Sequence, residues 1–259
     1  MDVTGLVAGG SFLLTTTAPD EVFAPEDFSE EHRLAARSLA DFLDAEVEPR
    51  TAELETHNFP MVRQLLRKLG ALGFLGVDIP EAYGGTALDL ITSLLVAETM
   101  KRGSFGGSFA ASFGTHTGIG TLPIVYFGTD EQKQRYLPGL ASGELVGAYA
   151  LTEPTAGSDA LAARMRATLT EDGREYRLTG TKQFITNAGF ADVFTTYAKV
   201  DGERFTGFIV DRGRRAWRSA PRNTRWASRD PLPPASSLTM HACRPATCWA
   251  RWAGATAWP

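Results

Sequence analysis

The vocabulary of the chain breaks after Gly213, and that break limits how much of it can join one packed core. Residues 214–259 contain no Val, Ile, Phe, Tyr, Lys, Glu or Gln. Those residues supply much of what strands and amphipathic helices are made from. The same 46 residues hold all five Trp (Trp217, Trp226, Trp249, Trp252, Trp258) and both Cys (Cys243, Cys248). Eight Arg there face one acid, Asp230, giving +7, while residues 1–213 carry 18 basic and 29 acidic side chains, giving −11. All 15 Phe and all 6 Tyr precede the break. The overall charge of −4 is therefore a mixture of two unlike parts. A 43% hydrophobic content excludes a disordered chain, and two Cys exclude a disulfide scaffold. No run of about 18 apolar residues is present. Met1 to Leu14 lacks the basic start of a signal peptide. A cytoplasmic protein is expected, with peripheral membrane association left open.

Helical spacing dominates the first part. Ser29 reads as an N-cap before Glu30 and Glu31, followed by Leu34, Leu39, Phe42, Leu43 and Val47, with Pro49 marking the end. A second helix is predicted over Met61 to Leu72, stopped near Gly70 and Gly73. The stretch Val77-Asp78-Ile79-Pro80-Glu81-Ala82-Tyr83-Gly84-Gly85 reads as a loop. Helical pattern returns from Leu88 to Lys101 and on toward Tyr126. Thr129-Asp130-Glu131-Gln132 reads as a capping box opening a helix that stops near Pro138. After Gly143 the period changes to short strand-like runs: 145–151, 165–169, 176–181, 193–200 and 205–210. The expected fold is α+β. It comprises an N-terminal extension (1–28), an all-helical domain (29–143), an incomplete antiparallel β domain (144–213) and an aberrant Arg/Trp/Pro-rich tail (214–259).

Two segments carry the chemistry. Ala148-Tyr149-Ala150-Leu151-Thr152-Glu153-Pro154-Thr155-Ala156-Gly157-Ser158-Asp159 is a strand ending in a polar turn of small residues. Lys182-Gln183-Phe184-Ile185-Thr186-Asn187-Ala188-Gly189 places an aromatic ring and a hydroxyl at another strand end. Such turns expose N–H groups and hydroxyls that can meet a carbonyl-rich ring or a phosphate. Taken singly, each is equally an ordinary β-turn, with Phe184 in the core.

Together the two segments resemble the acyl-CoA dehydrogenase family. The first is similar to its flavin-binding signature, the second to its Trp-Ile-Thr-Asn segment with Phe184 in place of Trp. Val77 to Gly85 and Gly118-Ile119-Gly120-Thr121-Leu122-Pro123-Ile124 extend the resemblance, which covers nearly all of residues 12–213. The Gly-Ser-Phe-Leu-Leu start and the 128–143 stretch look most like the long-chain and very-long-chain branch. The resemblance implies FAD as cofactor. Tyr149, Leu151, Thr152, Gly157 and Ser158 would line the isoalloxazine, with Thr152 on its pyrimidine side. Phe184, Ile185 and Thr186 would form the second contact, Phe184 on the ring face and Thr186 near N5. Ser158 would also touch substrate. The implied reaction takes a fatty acyl-CoA to the trans-2-enoyl-CoA in β-oxidation. An electron-transferring flavoprotein is the implied acceptor, in a homo-oligomer. The base is a Glu in a C-terminal helical bundle that these 259 residues do not match, so no catalytic residue is assigned within them. On that expectation the chain by itself binds FAD poorly and does not turn over.

Other residues read as structural. Glu153 belongs to the first turn and is expected to hydrogen-bond there rather than act as a base. His32 and His57 fall in helical or loop surface contexts and His116 in a Gly/Thr-rich stretch, with no metal spacing among them. Cys243 and Cys248, five apart without a second pair, do not make a zinc site. The Arg-rich tail is not read as a nucleic-acid surface, because a second frame explains it. Codons ACA-AGA-TGG-GCA-TCA-AGG-GAT for residues 224–230, reread from each last base, give Lys-Met-Gly-Ile-Lys-Gly. Residues 231–244 then permit Ser-Ser-Thr-Ala-Ser-Leu-Ile-Leu-Asp-Asp-Ala-Arg-Val-Pro, which is similar to what the family carries next. Two alternatives stand beside the dehydrogenase: a flavin oxidase or monooxygenase on the same scaffold, told apart by reoxidation with O₂, and a non-catalytic interaction protein, told apart by flavin-independent partner binding.

Overall fold

The computed structural model describes residues 13–14, 16–18, 22–56, 58–101, 108–173 and 175–212, with two short strands at 218–219 and 238–239. His57, Cys243, Cys248, all five Trp and nearly all of the 214–259 tail lie outside the described residues.

The helical part begins where the Ser29 cap predicts. Helix α1 (Glu30–Phe42) opens on a reciprocal capping box: Ser29 Oγ accepts from His32 N, and Ser29 N donates to His32 Nδ1, both at 3.1 Å. The surface position expected for His32 is corrected: it is buried, and its Nε2 meets Asp89 Oδ2 at 2.9 Å. Asp89 caps α4 (Leu90–Thr99) by accepting from Thr92 N at 2.8 Å, so one histidine joins the starts of two helices. Leu39, Phe42, Leu43 and Val47 are buried as the spacing requires, whereas Leu34 is exposed. The helical path does not stop at Pro49. It continues through a π turn (Leu43–Val47) and a 3-10 turn (Glu48–Arg50) into α2 (Thr51–Leu54). Pro49 fits because it sits in the first turn of a new segment, where its missing N–H is not needed.

Helix α3 (Phe59–Ala71) is capped by Asn58, and Gly73 beyond it adopts φ +86°. The 77–85 loop holds only one 3-10 turn, Glu81–Tyr83. Gly85 is required there, since a Cβ would fall 1.9 Å from the Ile79 carbonyl oxygen. Helices α5 (Ser108–Gly114), α6 (Leu122–Phe127) and α7 (Asp130–Ser142) complete the bundle. The Thr129/Gln132 capping box forms. The expected stop at Pro138 is corrected: α7 runs through it and ends at Gly143, φ +75°. Burial of Tyr136, Leu137, Leu140 and Ala141 on both sides of the proline outweighs the single lost backbone bond.

The β domain centres on β5 (Val193–Val200), paired along its whole length with β6 (Arg204–Asp211) in antiparallel register. The expectation of a wholly antiparallel sheet is corrected. β1 (Gly147–Ala150) and β2 (Arg166–Leu169) both run parallel to β5, along residues 193–196 and 199–200 respectively. Only β3 (Tyr176–Thr179), antiparallel to β2, and β6 follow hairpin logic. The reason is connection length: the chain between β1 and β5 is long enough to return in the same direction. Gly180, at φ +157°, separates β3 from β4 (Thr181–Lys182). β4 pairs with β8 (Leu238–Thr239), which pairs with β7 (Arg218–Ser219).

One core joins the two parts. Leu39 and Leu66 of the helices share a cluster with Val146, Ala148, Phe194 and Phe208 of the sheet. Two polar joints fix the docking. Arg63 on α3 donates to the Phe190 carbonyl (2.7 Å) and to Asp192 Oδ2 (2.8 Å). His116, fully buried, accepts from Gly147 N through Nδ1 and donates from Nε2 to the Leu140 carbonyl, both at 3.0 Å.

Candidate functional site

The two chemistry-bearing segments meet. β1 delivers the chain to Leu151, and the first turn closes on itself through Glu153 N to Ala156 O (3.0 Å) and Ala156 N to Glu153 O (3.1 Å). β4 delivers the second turn alongside it: Gln183 N donates to the Thr152 carbonyl at 2.9 Å, and Gln183 Nε2 to the Glu153 carbonyl at 3.3 Å. Phe184 follows at φ +58° and is 59% exposed. A bulky side chain in the left-handed region is strained, and a large ring in water is unfavourable. Both costs fall on one residue, beside the first turn.

The other expected residues are placed as follows. Thr152 and Leu151 are half-buried, and Gly157, Ser158 and Thr186 are exposed. A Cβ on Gly157 would meet nothing within 4 Å, so the turn is open on that side. Ile185 is 7% exposed and its side chain belongs to the main core. Tyr149 is half-buried, its ring edge-on to Tyr197 at 5.3 Å, and Tyr197 stacks on Phe205 at 5.5 Å. Burial pushes both phenols up, so both stay protonated.

Glu153 is structural, as its sequence context implies. Its carboxylate accepts from Arg164 N (2.6 Å), Met165 N (3.0 Å) and Lys182 Nζ (2.7 Å). Burial alone would raise its pKa, but Lys182 and the two backbone N–H groups outweigh it and hold the carboxyl below its ordinary range. Sequence reasoning missed two residues here. Lys182 is fully buried, and an isolated lysine at the end of a two-residue strand gives no local signal of that. Asn187, at φ +65°, donates from Nδ2 to the Ser112 carbonyl (3.0 Å) and the Gly147 carbonyl (3.2 Å). Its partners lie 75 and 40 residues away, beyond any local pattern.

The Ser112 bond ties the second turn to α5, which forms one wall of a mainly apolar cleft of about 450 Å³. α4 and the Phe74–Asp78 segment supply other walls. Gly114 and Gly118 line the cleft, and a Cβ on either would meet nothing within 4 Å. Its volume lies within the range of ligand pockets. Among the described residues, no helix is long and apolar enough to cross a membrane.

Residues 29–144 match the N-terminal domain of acyl-CoA dehydrogenases, and residues 148–233 match their middle domain. A probable acyl-CoA dehydrogenase of Bacillus subtilis (strain 168) is 52% identical over 204 residues, 79% of this chain and 34% of that protein. A mitochondrial isovaleryl-CoA dehydrogenase of Pongo abelii is 38% identical over 192 residues, 71% of this chain and 44% of that protein. The crystal structure of a Bacillus anthracis acyl-CoA dehydrogenase complexed with FAD superposes with TM-score 0.86 at 44% identity, covering 94% of this chain and 42% of that one. The chain thus spans between a third and a half of the length of these relatives.

Proposed function

The chain belongs to the acyl-CoA dehydrogenase family, and from that premise we propose that its two turns hold FAD in an enzyme that oxidises a long-chain fatty acyl-CoA to the trans-2-enoyl-CoA in β-oxidation. FAD, when bound, supplies the acceptor for the two electrons and the β-hydrogen removed from substrate. The observation that carries the proposal is the junction of the turns. The 2.9 Å bond between Gln183 N and the Thr152 carbonyl sets an exposed aromatic ring beside a turn of hydroxyls and small residues. That donor set fits a flat, carbonyl-bearing heterocycle. Phe184 offers a π surface for stacking. Thr152, Thr186 and Ser158 offer hydroxyls, and open space at Gly157 allows close approach.

Long acyl chains are favoured by the apolar cleft, whose two glycines leave its interior unfilled. The α-proton is assigned to a carboxylate supplied by the remaining length of the family's fold, the acceptor to an electron-transferring flavoprotein, and the assembly to a homo-oligomer; family membership supports all three. Titration of the 259-residue chain with FAD, followed by flavin fluorescence, tests the cofactor assignment. Phe184→Ala is expected to weaken binding by about two- to ten-fold, the worth of one aromatic stacking contact. Equal affinities for the two proteins would remove Phe184 from the site, and no binding at all would remove FAD.

We further infer that residues from about 214 onward are read in a shifted frame. Support comes from the break in vocabulary and the family-like string that the second frame permits. The middle-domain match runs to residue 233, twenty residues past the break. The nucleotide sequence across codons 205–260 decides between them. A downstream shifted frame that carries no family-like strand or helix pattern sinks the inference.

A further inference from the structure

We propose that the buried Lys182–Glu153 pair is a positioning device that aims the Thr152 peptide at the cofactor, a proposal that rests on the FAD reading above. Lys182 is 0% exposed and Glu153 4%. The ammonium makes two bonds: to Glu153 Oε1 at 2.7 Å and to the Leu151 carbonyl at 2.8 Å. The carboxylate in turn anchors Arg164 N and Met165 N, the two residues before β2. Three segments distant in sequence therefore converge on one charge pair: the first turn, the entry to β2 and the entry to the second turn.

Stability alone gives a weak reason for such a pair. Two buried charges cost several kcal/mol each in desolvation, and apolar residues of similar volume often serve the fold as well. What apolar residues cannot do is grip a particular carbonyl. Charge-assisted bonds are short and directional, and Lys182 spends one on the Leu151 oxygen. That oxygen shares a planar trans peptide with Thr152 N–H, so the two point in opposite directions. Holding the carbonyl toward buried Lys182 turns the Thr152 N–H away from it. Thr152 N donates to no described residue. The Thr152 carbonyl, one bond further on, is already taken by Gln183 N. Lys182 and Gln183 thus fix both peptide planes flanking Thr152, and with them the direction of its N–H, away from Lys182. Lys182 touches neither cofactor nor substrate on this proposal; it acts through the peptide.

The test separates positioning from folding. Lys182→Met or Glu153→Gln alone leaves a buried charge or a misfit donor and is expected to lower the melting temperature sharply. The double variant removes both charges and is expected to recover most of that loss. If the pair positions Thr152, the double variant still binds FAD at least about ten-fold more weakly than the parent chain. Parent-like FAD affinity in the double variant overturns the proposal and leaves the FAD reading standing. Absence of FAD binding by the parent chain overturns both. A second arm covers variants that fold poorly. In Lys182→Ala, added propylammonium, which matches the three carbons and the ammonium removed, is expected to restore FAD affinity, whereas tetramethylammonium, with no N–H to donate, is not. Equal response to both cations overturns the proposal.

Discussion

At the scale of single residues, His116 shows how a side chain unremarkable in sequence can hold two domains in register. Both ring nitrogens are engaged: Nδ1 accepts from the first residue of β1, and Nε2–H donates to α7. That arrangement needs the neutral ring. Burial, the largest influence, pushes its pKa from 6.5 down to about 4. In the unfolded chain the imidazole takes up its proton near pH 6.5, so the unfolded state binds more protons between the two values. The stability held by neutral His116 is therefore fully present above about pH 6.5 and is lost as the pH falls toward 4. Urea unfolding at pH 7 and pH 4.5 is expected to differ by roughly 2–3 kcal/mol from this group alone. His116→Phe should lose about 1–3 kcal/mol at pH 7, because the buried Gly147 N–H is left unpaired, while the Leu140 carbonyl still accepts from Gly143 N. It should also flatten the pH dependence by the same 2–3 kcal/mol. A variant whose pH slope matches the parent's would show that the titration lies elsewhere. The sequence made the Ser29 and Thr129 caps legible at this scale, since both act through backbone three residues away. His116 and Lys182 were illegible as roles because their partners lie 24 to 31 residues off.

At the scale of elements, period revealed which segments are strands but not their direction. The alternation in β1, β2 and β5 looks the same whether a neighbour runs parallel or antiparallel. Only the length of the intervening chain distinguishes them. Proline and glycine were likewise weaker punctuation than their reputations. α7 carries Pro138 because four buried side chains hold the helix on either side of it. α5 ends on Gly114, which has ordinary helical φ and an empty volume where a side chain would stand. That pairing gives a prediction with two opposite signs. Gly114→Leu adds helix propensity, worth about 0.5–1 kcal/mol, so the melting temperature should rise. It also fills the cleft between α4 and α5. Binding of a long-chain acyl-CoA, measured by calorimetry, should weaken while that of a four-carbon acyl-CoA holds. Unchanged discrimination between the two would remove the cleft as the acyl site.

At the scale of the whole molecule, the −11 of residues 1–213 and the +7 of residues 214–259 belong to parts with different histories on the proposed reading. The consequence is catalytic. Dehydrogenation α to a thioester needs a carboxylate free to take a proton. Of the carboxylates in the first turn, Glu153 is buried and holds three donors, with its pKa lowered rather than raised toward neutrality. Asp159 is exposed and caps the 3-10 turn Ala160–Ala162, accepting from Ala162 N at 3.3 Å. Neither is arranged as a base. The 259 residues taken alone are therefore expected to bind FAD weakly and to leave it oxidised when a long-chain acyl-CoA is added without oxygen. Joining residues 1–212 to the remaining length of the Bacillus subtilis relative, with which this chain shares 52% identity over 204 residues, should restore bleaching of the flavin absorbance. Substrate-dependent bleaching in the 259-residue chain itself would mean that a base lies within it, and Asp159→Asn would be the first variant to show where.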